Sequence, residues 1–312
     1  MPDQDINNDN IQLPSIAVIG GDLRQIHLAL MLTKVGYPVT IYGNDPCYYS
    51  LADHTTKEFY SLIATKGSLI QAIQSAQIIL GPIPFSKDSI HLTSNAQVKD
   101  LELSNFLSSL THRPLLIAGT IPEKVTLFFN EHSIPYVDLM KLESVAIGNA
   151  IATAEGTILE AIMHSDINLH LSKCLVLGYG RCAKILAQKL SALNAHVTIA
   201  ARRPEALATA YASGHTTLPI SIALTDLHEY QYIFNTIPSL VLTEESLSTV
   251  DPNVTIIDIA SKPGGVDYAA AKQKGINAHL CLALPGKYAP KASASILMDQ
   301  IQAIISKQFF TQ

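Results

Sequence analysis

One short segment combines glycines and small residues in a spacing typical of a dinucleotide-binding turn. Gly178-Tyr-Gly-Arg-Cys-Ala183 directly follows an apolar run and opens a helical stretch. In such a turn Gly178 permits a tight bend, Gly180 lets the backbone approach a pyrophosphate, and Ala183 keeps helix and strand close. The amino end of the helix stabilises the phosphates. The segment predicts a dinucleotide site, and the alternative is a glycine turn with a structural role only.

The end of the next apolar run bears on the choice between NAD and NADP. An NAD enzyme has an Asp or Glu about 20 residues after the glycines, where it binds the ribose 2′-hydroxyl. Here the run ends in Ala200-Ala-Arg-Arg203, without an acid. The guanidinium groups of Arg202 and Arg203 could bind a 2′-phosphate bidentately. The pattern favours NADP. The alternative is that the two arginines are solvated surface residues without a ligand.

A repeat places this turn in a larger architecture. Residues 16–24 and 174–181 each contain an apolar run and a glycine turn, followed by a helical stretch and a second apolar run. Such a β-turn-α-β unit makes its two strands parallel. Further short apolar runs, typical of strands buried on both faces, follow at 77–80, 114–118, 134–138, 232–236, 254–259 and 277–280. The sequence predicts an α/β fold with two doubly wound parallel-sheet domains, the second a Rossmann dinucleotide-binding domain.

The same patterns predict domain boundaries. Residues 1–14 are polar and are expected to form a disordered tail. Residues 15–147 are expected to form a flavodoxin-like substrate domain, and residues 148–290 the NADP-binding domain. The hydrophobic spacing within 147–163 indicates a helix that joins them. A final helix within 291–312 is expected to return to the first domain, by analogy with two-domain dehydrogenases.

Three loops should follow strands of the second sheet at the end where open α/β sheets bind ligands. They are Asn235–Ser239, Asp258–Gly265 and Leu284–Ala292, and their polar side chains and Gly/Pro backbones suit a nicotinamide and substrate pocket. The predicted nucleotide ligands are Gly178, Gly180, Arg181, Cys182, Arg202, Arg203, Asn235, Thr236, Ile237, Ala260, Ser261, Leu284 and Pro285.

The turn of the first repeat differs from that of the second. Gly20-Gly-Asp-Leu-Arg24 has adjacent glycines followed by Asp22, which would repel a pyrophosphate. We interpret this turn as part of a substrate site in which Arg24 binds a carboxylate. The alternative is a tight turn with a surface arginine.

Composition excludes several classes of function. Charged residues make up 15% of the 312 and the net charge is -5, which argues against a nucleic-acid binder. No apolar run reaches the roughly 18 residues that span a bilayer, and no export signal is recognisable, so a cytoplasmic protein is expected. The four cysteines lie far apart and are expected to be reduced thiols. Neither cysteines nor histidines have a metal-ligand spacing, so we predict no metal.

Several segments of the second half match one family in motif, order and spacing. They are Ala154-Glu-Gly-Thr157, Leu177-Gly-Tyr-Gly-Arg181, Asn235-Thr-Ile-Pro-Ser239, Ala260-Ser-Lys-Pro-Gly-Gly265 and Leu284-Pro-Gly with Ala289-Pro-Lys291. This pattern resembles the A subunit of dipicolinate synthase. The resemblance in the first half rests mainly on residues 16–25. Lys262 stands where that family commonly has Arg, and Cys182 after the fingerprint Arg is a second departure.

The resemblance implies a protein that produces dipicolinate during sporulation, together with a flavoprotein-like B subunit. Its substrate would be dihydrodipicolinate or the hydroxylated precursor, which loses a hydride to NADP and a proton as the ring becomes aromatic. A dicarboxylate requires two cationic or N–H groups. The candidate catalytic residues are Glu155, Lys262 and Lys287, and the candidate substrate ligands are Arg24, Ser239 and Lys291. A homo-oligomer is left open.

Two other functions compete with this one. The first is another NADP-dependent dehydrogenase of a small carboxylic acid. A 2-hydroxyacid enzyme of this kind needs a His oriented by a carboxylate, and near the last loop His279 is expected on a strand, which counts against it. The second is a non-catalytic subunit that binds a nucleotide and shapes its partner's active site. The sequence shows no unambiguous acid/base pair that would exclude it.

Overall fold

The computed structural model describes residues 13–49, 51–96, 98 and 100–310. It divides into two compact units. The first comprises residues up to 145 together with those from 290 onward, and the second comprises residues 146–289. Most of the predicted disordered tail, residues 1–12, lies outside the described residues.

The first unit is built on a six-stranded parallel sheet whose spatial order is β3-β2-β1-β4-β5-β6. Every residue of the central strand β1 is buried, because helices cover both faces of a doubly wound sheet. The strands are β1 (Ile16–Ile19), β2 (Val39–Tyr42), β3 (Ala64–Thr65), β4 (Ile78–Leu80), β5 (Leu115–Ala118) and β6 (Tyr136–Asp138).

The flavodoxin-like arrangement predicted for this unit is wrong. A flavodoxin-like sheet has the order 2-1-3-4-5, in which the third strand lies beside the first. Here the third strand, Ala64–Thr65, continues the sheet beyond β2, and the chain crosses to the other side of β1 only afterwards. The resulting order is that of a dinucleotide-binding sheet.

Helices of the first unit pack on both faces of its sheet. On one face α1 and α13 lie together, and Ile26 and Leu30 of α1 share a buried core with Leu297 and Ile301 of α13. The final helix was predicted from about residue 291, and it begins at Pro290. The helices are α1 (Leu23–Val35), α2 (Asp53–Leu62), α3 (Leu69–Ile73), α4 (Leu103–Ser108), α5 (Glu123–Glu131) and α13 (Pro290–Phe309).

A long helix, α6 (Glu143–Met163), begins in the first unit and continues into the second. Val145 belongs to the core of the first unit, whereas Ala154 and Ala161 belong to that of the second. Among the described residues α6 is the one helix long and apolar enough to cross a membrane by those criteria alone. More than half of its apolar stretch is buried inside the protein, as in a core helix.

The second unit has its own six-stranded parallel sheet, ordered β12-β11-β10-β7-β8-β9. Read from β9, the third strand of this unit in chain order, the sequence of strands is 3-2-1-4-5-6, which is again that of a dinucleotide-binding sheet. The strands are β7 (Lys173–Leu177), β8 (His196–Ala201), β9 (Thr216–Pro219), β10 (Tyr232–Asn235), β11 (Thr255–Asp258) and β12 (Asn277–Leu280). The helices are α7 (Arg181–Ala192), α8 (Pro204–Ala212), α9 (Ile220–Ala223), α10 (Glu244–Leu247), α11 (Tyr268–Gln273) and α12 (Leu284–Tyr288). The two predicted doubly wound α/β sheets are confirmed.

Candidate nucleotide site

The turn after β7 has a backbone that only glycine adopts easily at its first position. Gly178 has a φ of +94°, and its N–H donates to the carbonyl of Ala200 at 2.8 Å. A Cβ on Gly178 would lie 2.6 Å from Oγ1 of Thr236, closer than real Cβ contacts allow. The tight bend therefore requires glycine, both for its dihedral angle and because the residue that follows the neighbouring strand β10 lies so close.

Gly180 faces open space at the amino end of α7. It is the N-cap of that helix and, as a glycine, brings no side-chain cap to the first turn. Among the described residues, no atom would lie within 4 Å of a Cβ on Gly180. An uncapped helix end beside an open glycine is an arrangement that suits an anionic group. These residues therefore fit the pyrophosphate of a dinucleotide.

The corresponding turn of the first unit is closed by its own chain. The Asp22 side chain accepts a hydrogen bond from the N–H of Arg24, and the Gln25 side chain completes a capping box on α1. The N–H of Gly21 donates to the carbonyl of Thr93 at 2.6 Å. A Cβ on Gly20 would lie 2.5 Å from the same oxygen. In the first unit the Asp22 carboxylate and the segment around Thr93 thus occupy the position that corresponds to the open space at Gly180.

Arg24 lies inside the first unit. It is 5% exposed and forms an ion pair with Asp22 at 2.7 Å, and it also donates to the carbonyl of Ile83. The alternative of a surface arginine is therefore wrong. Lys291, the other substrate ligand predicted for this unit, is exposed near the start of α13.

The predicted 2′-phosphate ligands follow directly after β8. Arg202 and Arg203 are both exposed, and Arg203 is the N-cap of α8 without a side-chain cap of its own. The strand before them, which ends at Ala201, brings no carboxylate to this position. Two exposed cations at the carboxyl end of the second strand fit a 2′-phosphate, and the preference for NADP stays a prediction.

The loops after β7, β10 and β11 contact one another. The Ile237 side chain would lie 3.1 Å from a Cβ on Gly178, and a Cβ on Gly265 would lie 2.8 Å from the Ile237 carbonyl and 2.9 Å from that of Ser239. Predicted ligands of the second unit thus gather at one sheet edge. Ser239, Ser261 and Lys262 are exposed there, whereas Ile237, Ala260 and Leu284 are buried.

Asn235 and Asp258 form a buried pair at the ends of neighbouring strands. The side-chain amide of Asn235 donates to Oδ1 of Asp258 at 2.8 Å, and its oxygen accepts from the N–H of Ile237 at 3.1 Å. These hydrogen bonds fix the Asn235 side chain within the protein, and its contact with the nucleotide stays a prediction. Asp258 was not singled out from the sequence. The sequence feature that could have identified it is an acidic residue at the end of an otherwise apolar run.

Lys287 lies on α12, the short helix that follows β12. Its Nζ donates to Oε1 of Glu160 at 2.8 Å, and Tyr288 donates to the same oxygen at 2.7 Å. Burial alone would raise the pKa of Glu160, but these hydrogen bonds hold it below its usual value. The hydrogen bond to Glu160 raises the pKa of Lys287. The ion pair with Glu160 favours the charged form of Lys287, which can serve as a cation.

Glu155 forms an ion pair with a lysine of α7. Its carboxylate pairs with Lys189 at 2.8 Å, and both side chains reach solvent. Lys189 is in the last turn of α7, roughly 12 Å along the helix from Arg181 at its start. The general-base role of Glu155 stays a prediction.

Comparisons with known proteins point to the family that the sequence motifs resemble. Residues 15–140 match the family model of the N-terminal domain of the dipicolinate synthase A subunit. The A subunit of dipicolinate synthase from Bacillus subtilis (strain 168) is 30% identical over 292 residues, covering 94% of this chain and 96% of that protein. The crystal structure of the A subunit from Bacillus halodurans is 29% identical with a TM-score of 0.80, covering 94% of this chain and 98% of that one. The crystal structure of the Bacillus subtilis protein has a TM-score of 0.78 at 28% identity, covering 95% and 96%.

Proposed function

Since the chain belongs to the family of dipicolinate synthase A subunits, we propose that it is the NADP-dependent oxidoreductase component that forms dipicolinate in the cytoplasm of a sporulating cell. A B subunit would be its partner. The single observation that carries the nucleotide part of the proposal is the open, uncapped end of α7 at Gly180, followed along the sheet by two exposed arginines.

The proposed reaction removes two hydrogens from dihydrodipicolinate. A hydride and a proton leave the dihydropyridine ring, which becomes the aromatic ring of dipicolinate. The hydroxylated tetrahydro precursor would reach the same intermediate by losing water. When bound, NADP⁺ supplies the hydride acceptor.

Residues of the second unit would bind and orient both ligands. The N–H groups after Gly180 would bind the pyrophosphate, and Arg202 and Arg203 the 2′-phosphate. Lys262 and Ser239, both exposed on loops at the same sheet edge, are the candidates for a substrate carboxylate. Lys287 would add a fixed positive charge, because Glu160 keeps it protonated. Arg24 and Lys291 stay predicted carboxylate ligands of the first unit.

A second candidate function is a nucleotide-binding subunit whose partner supplies the acid/base group. Two observations favour it. Glu155 pairs with Lys189 far along α7, and Lys287 is held as a cation by Glu160. Both residues were predicted to be catalytic, and in each case an ion pair with a neighbouring side chain opposes a role as acceptor of the ring proton.

Nucleotide titration of the purified chain tests the cofactor assignment. NADP⁺ should bind roughly tenfold or more tightly than NAD⁺, because hydrogen bonds between charged groups contribute about 1.5–3 kcal/mol. Replacing Arg202 and Arg203 by Ala should remove this preference and leave NAD⁺ affinity unchanged. Arg113→Ala, an exposed arginine of the first unit, is the control. Equal affinities for the two nucleotides in the unaltered chain would contradict the assignment.

Activity assays separate the two candidate functions. The chain is mixed with freshly prepared dihydrodipicolinate and NADP⁺, alone and with the B subunit, and NADPH formation is followed by absorbance. NADPH formed by the chain alone supports the oxidoreductase. NADPH formed only in the presence of the B subunit favours the second candidate.

A further inference from the structure

We infer that Asp258 is a positioning residue that sets the spacing of the two loops bordering the nicotinamide half of the site. The inference rests on the proposed function, because it assumes that a dinucleotide binds across the second sheet. The turn after β7 and the arginines after β8 belong to the adenosine half of a dinucleotide-binding sheet. The loops after β10 and β11, residues 236–239 and 259–265, belong to the other half.

Asp258 is fully buried, and donors from three parts of the chain occupy its two oxygens. Oδ1 accepts from the Asn235 amide at 2.8 Å and from the N–H of Ala260 at 2.9 Å. Oδ2 accepts from the N–H of Gly265 at 2.7 Å and from the Tyr268 hydroxyl at 3.0 Å. Burial, together with the Asp258 carboxylate, raises the pKa of Tyr268, so that this hydroxyl stays a donor. One carboxylate thus binds the end of β10, both ends of the loop after β11, and the start of α11.

The loop after β11 passes so close to Asp258 that glycines are required. Gly264 has a φ of +91°, and a Cβ on it would lie 2.5 Å from Oδ2 of Asp258. The carbonyl of Gly265 accepts from the N–H groups of Val241 and Leu242, both at 2.9 Å. These backbone hydrogen bonds join the segment after β10 to the loop after β11. The separation of the two loops therefore depends on the position of Asp258.

An asparagine at this position keeps the shape but reverses one half of the hydrogen bonding. Its side chain has one oxygen acceptor, and its NH₂ group would face donors that now meet the second oxygen. A buried donor without an acceptor is costly, so the loop should move away from β10. The turn at Gly178 and the arginines after β8 have no hydrogen bond to Asp258 among those described, so the adenosine half should keep its geometry.

Two ligands that differ only in the nicotinamide end test this inference. They are NADP⁺ and 2′-phospho-ADP-ribose, which keeps the adenosine, the 2′-phosphate and the pyrophosphate. Asp258→Asn should weaken NADP⁺ binding roughly tenfold, the equivalent of one lost hydrogen bond to a charged group, and leave binding of the fragment unchanged. Asp251→Asn is the matched control, because Asp251 caps an exposed turn elsewhere in the same unit.

Tyr268→Phe keeps the test decisive if Asp258→Asn fails to fold. It removes a single donor to Asp258 and should weaken NADP⁺ by a smaller factor, again without an effect on the fragment. Unchanged NADP⁺ affinity in the variants overturns the inference, and so does an equal loss for both ligands, which would indicate general damage to the unit. If the unaltered chain binds neither ligand, the proposed function is overturned, and this inference with it.

Discussion

The two repeats of the chain differ at one pair of matching positions, Asp22 in the first and Gly180 in the second. Each lies where a helix begins after the first strand of its sheet. Asp22 brings its own carboxylate to the helix end, whereas Gly180 brings no side chain and leaves the end open. Because the first N–H groups of a helix attract anions, the open end at Gly180 is the one at which we propose that a phosphate binds.

Gly180→Val should abolish nucleotide binding without unfolding the second unit. The φ of Gly180 is -85°, which any residue adopts, and the position faces open space. The valine would therefore stand where the pyrophosphate is proposed to lie. Calorimetry should show one NADP⁺ per unaltered chain and none for the variant, at an unchanged thermal midpoint. Gly178→Val, by contrast, should destabilise the fold, since a Cβ there meets Thr236. Normal affinity in Gly180→Val would contradict the site.

Arg24→Ala should destabilise the first unit by about 2 kcal/mol, because it leaves a part-buried Asp22 without its cationic partner. Denaturant unfolding measures the loss. In an Asp22→Asn background the same substitution should cost less, which a double-mutant cycle shows directly. An Arg24→Ala variant with unchanged stability but impaired turnover would instead support the predicted substrate role.

At the scale of elements, α12 is held against α6. A Cβ on Gly156 would lie 2.9 Å from Cβ of Leu284 and 3.0 Å from the Tyr288 ring, so glycine lets the two helices approach. Glu160, one turn further along α6, binds Lys287 and Tyr288 of α12. The segment that follows the last strand is therefore fixed by a helix distant in sequence.

Glu160→Gln should lower the stability of the second unit by roughly 1 kcal/mol at pH 7, since Lys287 is half-exposed and partly screened. The folded-state pKa of Glu160 lies below the ordinary value of 4.5. Its contribution is therefore complete above pH 4.5 and is lost as pH falls through the folded pKa. The difference between the unaltered chain and the variant should shrink over that range in thermal melts. Glu155→Gln on the same helix, which breaks only an exposed pair, should have little effect at any pH.

The sequence predicted the central strands of both sheets but missed one strand in each. Ala64–Thr65 and Thr216–Pro219 lie at sheet edges, and neither carries a fully buried run. Hydrophobic runs reveal strands buried on both faces and therefore miss such edges. The same omission led to the wrong strand order in the first unit.

The candidate site was predictable only where its parts are local. The glycine turn could be recognised because its function depends on spacing within six residues, 178–183. The environment of Asp258 and the Glu160–Lys287 pair could not. These contacts join residues up to 127 positions apart in the chain. The hydrophobic periodicity of a sequence predicts helices and strands and does not predict such distant contacts. Glu155 and Lys287 were named as catalytic candidates through the family resemblance, before their ion pairs could be seen.

At the scale of the whole molecule, the second unit is continuous in sequence and the first is not. Residues 146–289 produced alone should fold cooperatively and bind NADP⁺ within a few-fold of the full chain, because the proposed nucleotide ligands all lie within them. Circular dichroism and fluorescence titration measure both properties. Residues 1–145 alone should be far less stable, since they lack α13 and expose the core face of α1. A folded first segment and an unfolded second one would contradict this division.

The return of α13 to α1 has a consequence for synthesis on the ribosome. Domains generally fold in the order in which they are made. Here the first unit is begun first but can be completed only after the whole second unit and α13 have been translated. Until then Ile26 and Leu30 lack their partners on α13, and the nascent chain carries an exposed apolar surface of the kind that chaperones bind. A premature stop codon before α13 would therefore damage the part of the protein that was made first.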